Sequence, residues 1–142
     1  MIPLTISVNL WAVLASAIVS MIIGSVWYGA LFQKRFMQAS GMDTWTKEKQ
    51  EAEKKKMGLS YFVQFLASLV MFYVLADMIA RLNPPTAFRG IMTALIAWVG
   101  FVVPIKLGEA IWGGNKTLFW LGIGNMLVTL LAVGAILGAW HG

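Results

Sequence analysis

Residues 8–32 contain no charged side chain, a run of 25 mostly apolar positions. A helix rises about 1.5 Å per residue and needs roughly 20 residues to cross a hydrocarbon layer about 30 Å thick. The run therefore predicts a transmembrane helix with some tilt. It closes on Trp27, Tyr28 and Phe32, and two residues later come Lys34 and Arg35. Aromatic rings and then basic residues are what the cytoplasmic membrane–water interface selects. Trp27, Tyr28, Lys34 and Arg35 are accordingly the predicted interface anchors.

The rest of the chain extends this reading. Charged residues are 12% of the composition and apolar residues 59%, about half the charge of a soluble domain. Apolar segments at about 8–31, 59–82, 87–112 and 117–140 predict four spans, with one long polar loop at 33–57. At 142 residues the chain has room for a single domain. The expected fold is all-α: an integral membrane, antiparallel four-helix transmembrane bundle with a helical extension before the second span. Lys47, Glu51 and Lys55, with Lys49 and Glu53, place opposite charges four residues apart, as a solvated helix does. Asn83, Pro84 and Pro85 stop the second span, and Gly113, Gly114 and Asn115 turn the third into the fourth. The N-terminus has no basic segment before its apolar run, so it is read as a retained span.

Charge sets the expected orientation. The first loop holds seven Lys and Arg, and Lys106 and Lys116 lie near the other loop on that side. Arg81 and Arg89 stand alone opposite. The positive-inside rule puts the basic loops in the cytoplasm and both termini outside a cytoplasmic (inner) membrane. A net charge of +5 concentrated this way reflects topology, not nucleic-acid binding. The bilayer is the first partner implied, and Lys54, Lys55 and Lys56 suit contact with anionic lipid.

Two sets of residues stand out inside the spans. Ala12, Ser16, Ser20 and Gly24 recur every four residues, and Gly134 and Gly138 form a GxxxG pair. Small side chains let helices approach closely in lipid, so both are expected helix-packing faces. Pro104 lies inside the third span and predicts a kink with loss of the bond to the Gly100 carbonyl. Tyr28, Gln64, Lys106, Glu109 and Asn125 all fall in the predicted cytoplasmic third and form the candidate polar site. Ionisable groups at such depth usually face the protein interior or water. A structural role stays open beside it: Lys106 snorkels, Glu109 pairs with it, Tyr28 joins the aromatic belt and Asn125 bonds a neighbouring helix. Near the far end of the second span Asp77 and Arg81 are four apart, as in a local ion pair.

Catalysis is not expected. There is no cysteine, and the single histidine, His141, is one residue from the end. Asp77 and Glu109 are predicted on opposite sides of the membrane, too far apart to work as an acid–base couple. No metal site and no cofactor is indicated. Two roles of different kinds remain. One is a small homo-oligomeric channel or transporter with its polar site on the cytoplasmic side and its conduit between protomers. The other is a non-catalytic accessory or assembly subunit of a larger membrane complex, held through the small-residue faces.

The run Gly24-Ser-Val-Trp27-Tyr28-Gly29-Ala-Leu31-Phe32-x-Lys34, with Asn9 earlier in the same helix, resembles the bacterial membrane-protein family catalogued as domain of unknown function 1761. Trp98-Val-Gly100-Phe101-Val-Val-Pro104 is similar to that family's W-x-G-F-x-x-P stretch, and Asn125 falls where an Asn of the last span is expected. Phe36 departs from an expected Trp. The resemblance covers nearly the whole chain. It implies a compact four-span membrane protein and carries no activity and no catalytic residues.

Overall fold

A computed structural model describes residues 8–140, and helix is the only regular structure among them. The first seven residues and His141 lie outside the described residues. Helix α1 (Leu10–Val26) passes through a π-turn at Trp27–Leu31, breaks direction at Phe32 and continues as the short α2 (Gln33–Ser40). A left-handed Gly41, φ 79°, ends α2. Helix α3 (Lys47–Ala80) then runs unbroken for 34 residues, so the charged extension and the second apolar segment are one helix. Helix α4 (Ala87–Ala97), a second π-turn at Trp98–Val102 and α5 (Val103–Ile111) make the third long element, and α6 (Lys116–Ala139) the fourth. Four of these helices are long and apolar enough to cross a membrane.

Their starts are set by local chemistry. Asn9, Thr46, Thr86 and Asn115 cap α1, α3, α4 and α6, each accepting from backbone N–H groups of the first turn. A helix leaves four N–H groups without intrahelical partners, and Asn and Thr side chains meet that need. Between α3 and α4 the Asn83–Pro84 peptide bond is cis. Two segments depart from the expectations. Helix α2 forms within the long polar loop expected at 33–57, and it packs on α6. The third long helix is not simply kinked at Pro104: the π-turn precedes it, and Pro104 sits in the first turn of α5. A proline is tolerated there because its missing N–H would have no partner anyway, and the wider turn ahead relieves the clash with the preceding carbonyl.

Helix α6 is the centre. It contacts α1, α2, α3, α4 and α5, most extensively α4. Of its most apolar window 44% is buried, against 11% for the third long helix, so the latter is an outer element. Burial is confined to one end. It takes in Ala12, Val13, Ser16 and Ala17 of α1, Ser68, Phe72, Leu75, Ala76 and Ile79 of α3, and Gly90 and Ala94 of α4. On α6 it runs from Thr129 to Gly138, with Leu121 and Ile123 as outliers. A void of only about 10 Å³, lined by Val8, Asn9, Ala76, Ala80, Leu137 and Trp140, marks where α1, α3 and α6 meet at this end.

Glycines map the contrast between the ends. A β-carbon at Gly90 would overlap the Gly134 carbonyl oxygen, and one at Gly138 would overlap the Thr86 carbonyl oxygen. Gly134 would meet the Ala94 β-carbon at 2.9 Å. At Gly24, Gly29, Gly58, Gly100 and Gly108, all toward the other end, a β-carbon would meet nothing within 4 Å. One end of the bundle is closed and the other is parted.

Candidate functional site

The parted end is organised by two tryptophans. Trp27 and Trp98 each begin a π-turn. An extra residue in a helical turn rotates the helix after it relative to the helix before it, and such turns are frequent at functional sites. Trp27 Nε1 donates to the Leu121 carbonyl at 2.9 Å, and Trp98 Nε1 to the Ile123 carbonyl at 2.9 Å. Both acceptors lie in one turn of α6. The ring of Trp27 rests on Gly124, where a β-carbon would stand 2.7 Å from Cζ2. The Lys106 stem lies alongside, its Cε 4.0 Å from where a Gly122 β-carbon would be. Two rings and a lysine stem thus converge on the Leu121–Gly124 turn, and Gly122 and Gly124 leave the space they occupy.

Of the five candidate polar residues, Lys106 and Asn125 come to this region. The Lys106 Nζ–Glu109 Oε2 pair is 3.6 Å apart within α5, with side chains 41% and 64% exposed. It is an exposed local pair, the kind that contributes little. Asn125 lies a turn beyond Leu121, half-buried, and its Oδ1 is enclosed with no hydrogen-bond partner. Thr129, one turn further, is buried and its Oγ1 is likewise unpartnered. Gln64 is exposed on α3, its Nε2 donating to Ser68 Oγ at 3.5 Å. Tyr28 stacks on Phe36, ring centroids 4.7 Å apart. No hydrogen bond or ion pair joins Tyr28, Gln64 or Glu109 to Asn125 Oδ1.

The other expected positions divide similarly. Ala12 and Ser16 are fully buried, Ser20 is half-buried and donates to the Ala17 carbonyl at 2.7 Å, and Gly24 has no neighbour to pack on. The small-residue stripe of α1 is therefore occupied over its first half only, because α1 leaves the core as the bundle parts. Gly134 and Gly138 face α4, with Gly90 as the partner that sequence reasoning did not name. Trp27, expected as an interface anchor, turns its indole N–H toward α6, while Lys34 and Arg35 are exposed. Asp77 and Arg81 form a 3.1 Å ion pair near the end of α3. Among the described residues no group of three or more His, Cys, Asp or Glu side chains could hold a metal ion. A shallow hollow of about 370 Å³ beside α2 is lined by Gln33, Lys34, Met37, Gln38 and Asp43.

Trp27-Tyr28-Gly29 and Trp98-Val99-Gly100 make the same π-turn with the same kind of bond to α6, but W-x-G also stands at Trp112, Trp120 and Trp140, so the spacing alone does not mark the ties.

Fold and site together define an all-helical protein with four helices of membrane-crossing length and composition, packed around α6 and tied at one level by two tryptophans. The chain belongs to the family described as Protein of unknown function (DUF1761), whose sequence model matches residues 11–138. No curated protein matches the chain. No solved structure matches it either.

Proposed function

We propose that this chain is an integral membrane protein of the cytoplasmic membrane. In this reading it is an antiparallel four-helix bundle whose parted end faces the cytoplasm and serves as the polar vestibule of a small homo-oligomeric channel or transporter. The contrast between the closed and parted ends carries the proposal. At one end backbone packs on backbone, and at the other Gly24 and Gly108, half-buried, lie without neighbours alongside the exposed Gly29, Gly58 and Gly100. Antiparallel packing is supported by pairs in opposite chain order: Thr86 with Gly138, Gly90 with Gly134, Trp98 with Ile123. The orientation is supported by the seven basic residues of the first loop, with Lys106 and Lys116, gathering toward the parted end. Irregular helix at membrane depth is tolerated where it is buried in protein or lines a cavity, which suits two π-turns flanking a vestibule.

The accessory-subunit reading loses part of its proposed docking faces, since Ser16, Gly134 and Gly138 are buried within the chain itself, and keeps Ser20 and Gly24. The test is flux. Proteoliposomes are challenged with gradients of ammonium, potassium and small neutral solutes and followed by stopped-flow scattering, with native mass spectrometry for assembly. The expected result is flux above empty vesicles that falls at least tenfold in Lys106→Gln while the oligomer persists. Wild-type vesicles no leakier than empty ones, or co-purification with unrelated subunits in fixed ratio, overturns the proposal.

A further inference from the structure

Asn125 Oδ1 and Thr129 Oγ1 are enclosed oxygen atoms on α6 that no other group satisfies. Thr129 is 3% exposed. Four residues apart, the two side chains occupy one face of the helix a turn from each other. Four other hydroxyls in the long helices behave differently. Ser16, Ser20, Ser68 and Thr93 each donate to a carbonyl of their own helix three or four residues back. That bond is open to Thr129 as well and is not made. A buried polar group left unsatisfied is costly, and two in successive turns point to a guest that binds both.

The chemistry of the guest is set by the atoms. An amide oxygen only accepts, and a hydroxyl donates or accepts. The guest must therefore donate a hydrogen bond to Asn125 and be small enough to lie within one turn of helix. Equal rise along the helices locates it. Thr129 is eight to eleven residues from Leu137 and Trp140, which share the closed-end void with Asn9 and Ala80. The same count from those residues reaches residues 17–20 of α1 and 69–72 of α3. Ser20, Ser68 and Gln64 on α1 and α3 and Thr93 on α4 are the polar groups at or near this level, and all are neutral; Lys106 lies closer to the parted end, against Gly122. The position is thus acceptor-rich and uncharged, at the depth where the packed half gives way to the parted half.

We infer that Asn125 and Thr129 bind a small hydrogen-bond donor, water or an ammonium-sized cation, at the inner end of the vestibule. The inference rests on the proposed vestibule for its access route, and it is tested without measuring flux. Thr129→Val keeps the shape and removes the hydroxyl. If the hydroxyl holds a guest, the variant melts lower than wild type by about 3 °C or more, while Thr129→Ser, which keeps it, melts closer to wild type. If the hydroxyl holds nothing, Thr129→Val melts at the same temperature or higher, and the site is overturned. Ammonium chloride against sodium chloride at equal ionic strength separates the sources. A rise in melting temperature specific to ammonium and lost in Thr129→Val assigns the cation, and a Thr129→Val loss with no salt preference assigns water. Access is read in the cysteine-free chain. Asn125→Cys is expected to react with a charged methanethiosulfonate reagent while Val133→Cys, fully buried, does not. Equal protection of both thiols overturns the route. Absence of flux together with a lowered Thr129→Val melting temperature removes the transport reading and leaves the site standing.

Discussion

Trp27 and Trp98 direct their indole N–H groups at carbonyls two residues apart on α6. In an apolar setting an indole N–H left without a partner is unfavourable, and a bond between helices of this kind contributes about 1 kcal/mol. Trp98→Phe and Trp27→Phe are each expected to destabilise by about that amount, seen as a fall in melting temperature in detergent. Because both bonds end on one turn of α6, the double variant is expected to deviate from the sum of the two. The position of Trp27 beside Lys34 and Arg35 marked it as interfacial, and its neighbours in sequence carry no information on the rotation that turns it inward. That rotation belongs to the π-turn, one extra residue in a helical turn, which hydrophobic period alone does not register. Asn125 was legible as a polar residue in an apolar helix. That its oxygen is enclosed and unpartnered depends on what surrounds it.

At the scale of elements, the packing of α4 on α6 is the tightest contact in the molecule. The Gly134/Gly138 pair could be read directly, since small residues four apart permit close approach. Its partner carries the same kind of signal, Gly90 and Ala94 four apart, but only laying α4 against α6 pairs the two faces. Gly134→Val and Gly90→Val drive side chains into backbone and are expected to destabilise by about 3 kcal/mol or more, at or above the upper end of ordinary overpacking. Gly24→Ala and Gly100→Ala, with open space around them, are expected to shift stability by less than about 1 kcal/mol, with a gain in helix propensity. Thermal melts of the four variants side by side check the contrast. Pro104 shows the complementary case. Its effect on the helix was legible, but its form was not, because a helix can meet a proline with a kink or by widening the turn before it.

For the whole molecule, the proposed topology gives a direct expectation. Single cysteines at Glu51 and at Asn83 in the cysteine-free chain are expected to label from opposite sides of right-side-out and inverted vesicles, Glu51 from the cytoplasmic side. Labelling of both from one side would refute the orientation. Amino-acid sequence by itself determined the all-helical class, the number of long apolar helices, the turns between them, and the family. These are local properties: apolar length, charge position, and the hydrogen-bonding habits of Asn, Thr, Pro and Gly within a few residues of where they act. Only the tertiary structure decided which end of the bundle closes, which glycines meet backbone, where the tryptophans point, and which polar atoms are left enclosed. Those depend on the relative rotation and tilt of helices far apart in the chain. Almost every face of an apolar helix resembles every other until a neighbour selects one of them.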